Sequence, residues 1–336
     1  MQPFFEVRDM NIGLKRDGRL FPAVEHVSLA LEAGKTLGII GESGSGKSLT
    51  CMAMQGLLDE KLWQVSGSIC IDGREIALTD KRQIAALRGN ELAMIMQNPM
   101  SAFNPVITIE KHFLETVNKK GRPKQTKAQV HAGACELLRR MHIQDPEAVL
   151  RSYAFQLSGG MLQRIMIALA VAVQPRLLIA DEPTTALDLS VQREILKILK
   201  EIQQTSGTSI LIVSHDLSVI EYLADDIRVM YAGAFIEGGE KQQILSDPHH
   251  PYSRGLFRSR PAFSKERLQV MEGQPPTLFE RREGCRFYDR CSERTAICEN
   301  YRPDYSHHSG DGDRPEAGPA GLRQVLCVKE DAHGAS

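Results

Sequence analysis

Apolar and polar positions alternate through residues 4–40 in several short runs, broken at Asp17-Gly18 and at Ala33-Gly34. A period of two sends successive side chains to opposite faces, so this region predicts antiparallel strands. The pattern becomes continuously apolar at Thr36-Leu37-Gly38-Ile39-Ile40, as expected of a buried strand, and a helix-forming segment runs from Leu49 to Leu58. Ser68–Ile71 predicts another short strand, closed by Asp72-Gly73, and Leu92–Met96 a short buried one. From about Thr108 to Arg151 the period lengthens: Ala134, Leu137, Leu138 and Met141 recur at helix spacing.

A second α/β stretch begins near Ser158. Met161 to Val173 is strongly apolar and is stopped by Pro175; Leu177–Ala180 predicts a buried strand. Val191 to Ile202 predicts an amphipathic helix, and Ser209–Val213 a further buried strand. Strands alternating with helices imply an α/β fold, with a mostly parallel sheet covered on both faces. After about Pro251 the periodicity fades, and residues 306–321 have the composition of a mobile linker. There is no internal repeat and no heptad pattern.

Composition changes this picture little. The 336 residues suit one large domain with an appendage, or two domains, and 42% hydrophobic content allows a sizeable core. Lys and Arg total 41 against 42 Asp and Glu, a balance that carries no electrostatic footprint for nucleic acid. No segment approaches the roughly 20 apolar residues that cross a bilayer. The start, Met1-Gln2-Pro3-Phe4-Phe5-Glu6, lacks the pattern of a signal peptide, so a cytosolic chain is expected. Of seven cysteines, Cys51, Cys70 and Cys135 fall in segments that read as core, while Cys285, Cys291, Cys298 and Cys327 crowd the C-terminal end. An odd total in a cytosolic chain argues against a disulfide framework.

The candidate chemistry begins at Gly41-Glu42-Ser43-Gly44-Ser45-Gly46-Lys47-Ser48, which fits the phosphate-binding pattern G-x-x-x-x-G-K-[S/T] between a strand and a helix starting near Leu49. In that setting backbone N–H groups and the positive end of the helix receive phosphate oxygens. Lys47 would reach the β- and γ-phosphates of a nucleoside triphosphate, and the Ser48 hydroxyl would bind Mg²⁺. Leu177–Ala180 ends in Asp181-Glu182, a Walker B pattern. Asp181 would hold Mg²⁺, and Glu182 would polarise the attacking water as general base. Leu157-Ser158-Gly159-Gly160-Met161-Leu162-Gln163-Arg164 places two glycines behind a candidate N-cap serine, a second phosphate-binding helix start. One nucleotide does not need two such loops from one subunit. A head-to-tail dimer, in which this loop closes on a partner's nucleotide, is the natural solution.

These motifs resemble the ATP-binding-cassette (ABC) family, whose signature is usually written LSGGQ; here Met161 stands at the fifth position. The resemblance implies γ-phosphate contacts from Ser158 and Gly160. Gln97, followed by Asn98-Pro99, matches the Q-loop and would touch Mg²⁺ and the water. Ala186-Leu187-Asp188 matches the D-loop, and His215 the switch histidine. The family stacks adenine on an aromatic before the P-loop; Phe21 is the nearest candidate and Arg16 the alternative. The resemblance covers about residues 4–260, with a helical subdomain at about 100–160. The stretches Met96–Pro99, Ser101–Pro105 and Ser158–Arg164 look like the nickel and peptide importer ATPases, and Ser48–Cys51 like the nickel version.

Within 261–336, Gly284-Cys285-Arg286-Phe287, Arg290-Cys291 and Cys298 resemble the C-terminal extension of oligopeptide and dipeptide importer ATPases, with Cys327 as a fourth thiolate. Four thiolates can hold a 4Fe-4S cluster or zinc; these gaps lack the tight pairs of common zinc modules, and a site without metal stays open. His249, His250, His307 and His308 read as exposed loop histidines. The resemblance implies an ATPase at the cytoplasmic face of the inner membrane, serving two transmembrane permeases and an extracytoplasmic solute-binding protein. It also implies pairing with a homologous second ATPase, as a heterodimer, and a cargo of peptides or of nickel and metal chelates. A soluble cassette ATPase of DNA repair or translation is the alternative, though neither a long coiled-coil insertion nor a second cassette is visible.

Overall fold

The computed structural model describes residues 3–119, 121–185, 187–258, 271–280, 284–300 and 324–325. The strands, in chain order, are β1 (Phe5–Arg16), β2 (Arg19–Leu31), β3 (Thr36–Ile40), β4 (Trp63–Ile71) and β5 (Arg74–Ala77). They continue with β6 (Leu92–Ile95), β7 (Leu177–Asp181), β8 (Ser209–Ser214), β9 (Asp226–Tyr231), β10 (Ala234–Glu240) and β11 (Gln324–Val325). The helices are α1 (Lys47–Met54), α2 (Lys81–Leu87), α3 (Ile109–Val117), α4 (Lys127–Arg140), α5 (Pro146–Arg151) and α6 (Gly159–Ala172). Further on come α7 (Leu189–Ser206), α8 (Leu217–Leu223), α9 (Lys241–Ser246), α10 (Pro251–Arg258) and α11 (Ala296–Asn300).

These elements form two compact units. The first comprises Met1–Ala30, Leu37–Thr79 and His215–Ser336. Its alternating N-terminal sequence builds the antiparallel sheet β2-β1-β4-β5, as the period of two predicts. The apolar strand β3 runs parallel to β9, with Ile40 opposite Val229, and β10 returns antiparallel to β9. All five residues of β3 are buried, which is why its sequence does not alternate.

The second unit comprises Leu31–Thr36 and Asp80–Ser214. Here β6, β7 and β8 are parallel neighbours, Leu92 facing Leu177 and Leu177 facing Ser209. Every residue of β7 and β8 is buried. The helix α6 buries Leu162, Ile165, Met166 and Ile167, each such side chain contributing about 1.5–3 kcal/mol on removal from water. The amphipathic α7 starts at an Asp188 N-cap and stops at Gly207 in the left-handed region (φ 65°), an ordinary start and stop.

Several elements differ from the sequence reading. β4 starts five residues earlier than expected, and β5, α2, β9 and β10 escaped it. The fading pattern after Pro251 hides α10, whose first residue is that proline. Cys327 and the 306–321 segment lie outside the described residues.

Candidate nucleotide site

Gly41 to Ser48 belong to the first unit. Because β3 ends beside β9, Gly41 lies against the Met230 carbonyl, and a Cβ there would collide with that oxygen. Gly46 caps α1 at φ 108°, a conformation that L side chains rarely adopt. The loop is pinned by Ser45 N–H donating to Glu42 O (3.2 Å) and Gly233 N–H donating to Ser45 O (2.7 Å). Lys47 is buried and donates through Nζ to the carbonyls of Gly41 (2.8 Å) and Glu42 (2.9 Å). Gly44 and Gly46 N–H have no protein acceptor among the described residues. Donors left open beside a helix start make a cradle for an anion.

The C-terminal segment reaches the same loop. Arg290 forks onto the Glu42 carboxylate, Nη1 to Oε2 at 2.8 Å and Nη2 to Oε1 at 3.0 Å. Its guanidinium also lies over the rings of Tyr231 and Phe287, each 5.7 Å to the centroid. Glu42 holds the Arg290 guanidinium charged, raising its pKa against the opposing effect of burial. The Tyr252 hydroxyl accepts the Glu42 N–H at 2.9 Å, and burial pushes that phenol's pKa up. His250 is buried, against the expectation of an exposed loop histidine. Its Nδ1 accepts the Tyr252 N–H at 3.1 Å, so it carries no proton there, and burial pushes its pKa down to about 4. Phe21 meets Phe279 edge-on, centroids 4.9 Å apart, and Arg16 lies 5.3 Å from the centroid of that same ring. Both adenine candidates thus converge on an exposed aromatic that the sequence did not single out, in a stretch without periodicity.

The second unit holds Gln97, Ser158 to Gly160, Asp181, Glu182 and Asp188. In the parallel register Ile95 faces Ala180, so Gln97 and Glu182 both emerge past the C-terminal ends of neighbouring strands. Gln97 Nε2 donates to Glu182 Oε2 at 2.9 Å, and Thr185 Oγ1 donates to the same oxygen at 2.8 Å. Asp181 and Glu182 are buried. Glu182 has φ 46°, a strained conformation for a residue with a side chain, and its N–H donates to Val213 O at 2.9 Å. Gln163 Nε2 donates to Pro183 O at 2.7 Å, tying the second turn of α6 to the residue after Glu182. Ser158 caps α6, its Oγ accepting the Met161 N–H at 3.3 Å, and Ser158 and Gly159 are exposed. Asp188 Oδ1 accepts the N–H groups of Ser190 (3.0 Å) and Val191 (2.9 Å).

The description "ABC transporter" matches residues 24–185, and "Oligopeptide/dipeptide transporter, C-terminal region" matches residues 236–298. The chain is 38% identical to "Dipeptide transport ATP-binding protein DppD" of Haemophilus influenzae, covering 91% of this chain and 92% of that one. The chain belongs to the ABC transporter ATPases. This ABC ATPase is also 36% identical to "Oligopeptide transport ATP-binding protein AppD" of Bacillus subtilis, over 100% of its own length and 99% of the relative's. Among solved structures it shares its fold with the ATP-binding cassette MJ0796, in a dimeric post-hydrolysis state bound to ADP and Pi. That likeness has a TM-score of 0.62 at 24% identity, covering 70% of this chain and 98% of the other.

In this ABC ATPase the sequence-derived residues sort by unit. The P-loop and Phe21 lie in the first, and the Q-loop, signature, Walker B and D-loop residues in the second. His215 follows β8 directly, is exposed, and opens the last segment of the first unit. Ala186 and Cys327 lie outside the described residues. Cys285, Cys291 and Cys298 are half-buried, with Cys285 N–H donating to Cys298 O at 2.9 Å. Burial raises the thiol pKa of Cys285 and Cys291, and the neighbouring cysteines add to the rise. Thr185, Gln163, Arg290 and Tyr252 were missed by sequence reasoning. Gln163 had a signal inside the signature stretch, and Arg290 one inside the cysteine-containing motif of the extension.

Proposed function

We propose that this ATPase energises a binding-protein-dependent importer of peptides. The supporting observation is the oligopeptide/dipeptide transporter C-terminal region at residues 236–298, together with relatives named for dipeptide and oligopeptide transport. None of the relatives described above is named for nickel, which the core motifs alone left open. The ATPase domain would span about residues 4–260 and the extension 261–336.

ATP would sit on the P-loop, its phosphates on the Gly44 and Gly46 N–H groups and on Lys47 once that ammonium turns from the Gly41 and Glu42 carbonyls. Ser48, Gln97 and Asp181 are hard oxygen donors that suit Mg²⁺, which would neutralise charge on the phosphates. Gln97 turns its NH₂ to Glu182, leaving Oε1 for the cation side. In this reading Glu182 takes the proton of a water that attacks the γ-phosphorus, and ADP leaves. The two donors on its Oε2 fix the rotation of the carboxylate.

The exposed Ser158 and Gly159 would close on the nucleotide of a second, homologous ATPase, with Asp188 and exposed Leu189 beside that interface. His215 would complete the γ-phosphate contacts. Exposed Met100, Val106, Tyr153 and Phe155 offer apolar surface to two permeases at the cytoplasmic face of the membrane. Among the described residues no helix is long and apolar enough to cross a membrane.

The extension would bind an iron–sulfur cluster through Cys285, Cys291, Cys298 and Cys327. An anaerobic preparation without iron and visible absorbance would remove that part of the reading. The main test is reconstitution with the permeases, the second ATPase and the solute-binding protein. Peptide-loaded binding protein should raise ATP hydrolysis several-fold. Stimulation by a nickel-loaded protein instead, or association with ribosomes or DNA rather than permeases, would overturn the proposal.

A further inference from the structure

Three packed helices of the second unit bring together a cluster that the ATPase site does not use. His131 and Cys135 lie four residues apart on one face of α4. Glu147 comes from the first turn of α5, and Glu110 from the first turn of α3. The His131 Nδ1 lies 2.8 Å from Glu110 Oε1, while its Nε2 lies 3.0 and 3.1 Å from the two Glu147 oxygens. Cys135 Sγ lies 3.5 Å from Glu147 Oε1. One donor atom each from His131, Cys135 and Glu147 fall within 4.8 Å of one another.

The geometry points to a site for one zinc-class divalent cation, ligated by His131 Nε2, Cys135 Sγ and Glu147, with Glu110 orienting the imidazole. The donor set is decisive for the class of ion. One nitrogen, one sulfur and one carboxylate oxygen suit Zn²⁺ or Co²⁺, whereas Mg²⁺ and Ca²⁺ demand oxygens. Ligands around tetrahedral zinc lie roughly 3.5 Å apart, given bonds of about 2.0–2.3 Å. Cys135 and Glu147 already stand 3.5 Å apart, and the 3.0 Å between His131 Nε2 and Glu147 needs only to open slightly. Glu110 supplies the outer partner that metal-bound histidines regularly have: a carboxylate accepting Nδ1–H directs Nε2 towards the ion. Cys135 is buried, but His131 and Glu147 are 34% and 50% exposed, which leaves an entry path and a fourth position for water.

Binding requires Nε2 and Sγ free of their protons, so the ion competes with protons at both atoms. Lys127, 3.1 Å from Glu110, and the more distant Arg139 and Arg151 are the other charges acting on these groups. An ion here would fasten α5 to α4.

Cobalt titration of the reduced, metal-free full-length chain tests this, read by the visible bands of thiolate-bound tetrahedral Co²⁺. Cys135→Ser and His131→Ala should each bind one equivalent less than the parent, and Glu110→Ala should bind that equivalent at least about tenfold more weakly. Any cobalt on Cys285, Cys291, Cys298 or Cys327 persists in these variants, so the difference isolates this cluster. His131 is part-exposed, so its variant carries the test if Cys135→Ser does not fold. Zn²⁺ should displace the cobalt. Stoichiometry and spectra unchanged in the His131 and Cys135 variants would overturn the assignment and leave the cluster a plain hydrogen-bond network.

Discussion

Arg290 and Glu42, 248 residues apart in sequence, meet in a two-pronged ion pair at 2.8 and 3.0 Å. Glu42 is the second residue of the P-loop, so the C-terminal segment takes part in shaping that loop. Arg290 is only 6% exposed, and screening by solvent is therefore weak on its side of the pair. Such forked pairs depend on the planar guanidinium, which lysine does not reproduce.

Arg290→Lys should accordingly behave nearly as badly as Arg290→Ala. Both should raise the KM for ATP by roughly three- to tenfold, about 0.7–1.4 kcal/mol of loop preorganisation, with kcat little changed. Steady-state ATPase assays of the assembled complex would show it. A lysine variant with parental KM would mean that charge alone suffices.

Gln97 and Thr185 hold the same oxygen of Glu182. Gln97→Leu and Thr185→Val should each lower kcat, the glutamine variant by about 10- to 100-fold, because a misplaced carboxylate attacks the geometry of the step rather than nucleotide binding. The double variant should fall short of the product of the two losses, since both act through one carboxylate. Fully multiplicative losses in single-turnover assays would contradict this.

Phe279→Ala should weaken adenine nucleotide binding, because Phe21 and Arg16 both pack on that ring. A mant-nucleotide titration should show about a three- to tenfold loss, matched by Phe21→Ala and not increased in the double variant. If Phe279→Ala binds as the parent does, the aromatic pair has no part in the base site.

His250 makes the stability of the first unit acid-sensitive. Its pKa is pushed down to about 4 by burial, whereas an unfolded histidine titrates near 6.5. The unfolded chain therefore binds the extra proton first. The contribution of the neutral ring is complete above about pH 6.5 and is lost as pH falls towards 4, by about 3 kcal/mol in all. Melting temperatures taken between about pH 7 and 5 should fall less steeply in His250→Asn, whose Oδ1 can still accept the Tyr252 N–H. Parallel curves would remove His250 from the account.

Much of this was legible in the chain because the relevant signals are local. The glycines of the P-loop, the apolar β3, β7 and β8, and the Ser158 cap are short-range patterns, and the structure places them as expected. What the sequence could not show depends on distant partners. Nothing around Arg290 names Glu42, and no periodicity marks Phe279 or buried His250. The strands β9 and β10 alternate only imperfectly, with glycines at Gly238 and Gly239 and a register shift between Phe235 and Glu237. The acidic pair was readable, but the restraint of Glu182 by Gln97 and Thr185 follows from parallel register, which only the fold supplies.

The central claim is that ATP is held between two cassettes and hydrolysed through Glu182. Glu182→Gln keeps the shape of the side chain while removing its basicity, so it should bind ATP yet lack turnover. Light scattering of the purified variant with its partner ATPase measures this directly. With ATP and Mg²⁺ the account predicts a stable closed dimer that ADP does not support. A variant that stays monomeric with ATP and Mg²⁺, or that hydrolyses at the parental rate, would contradict it.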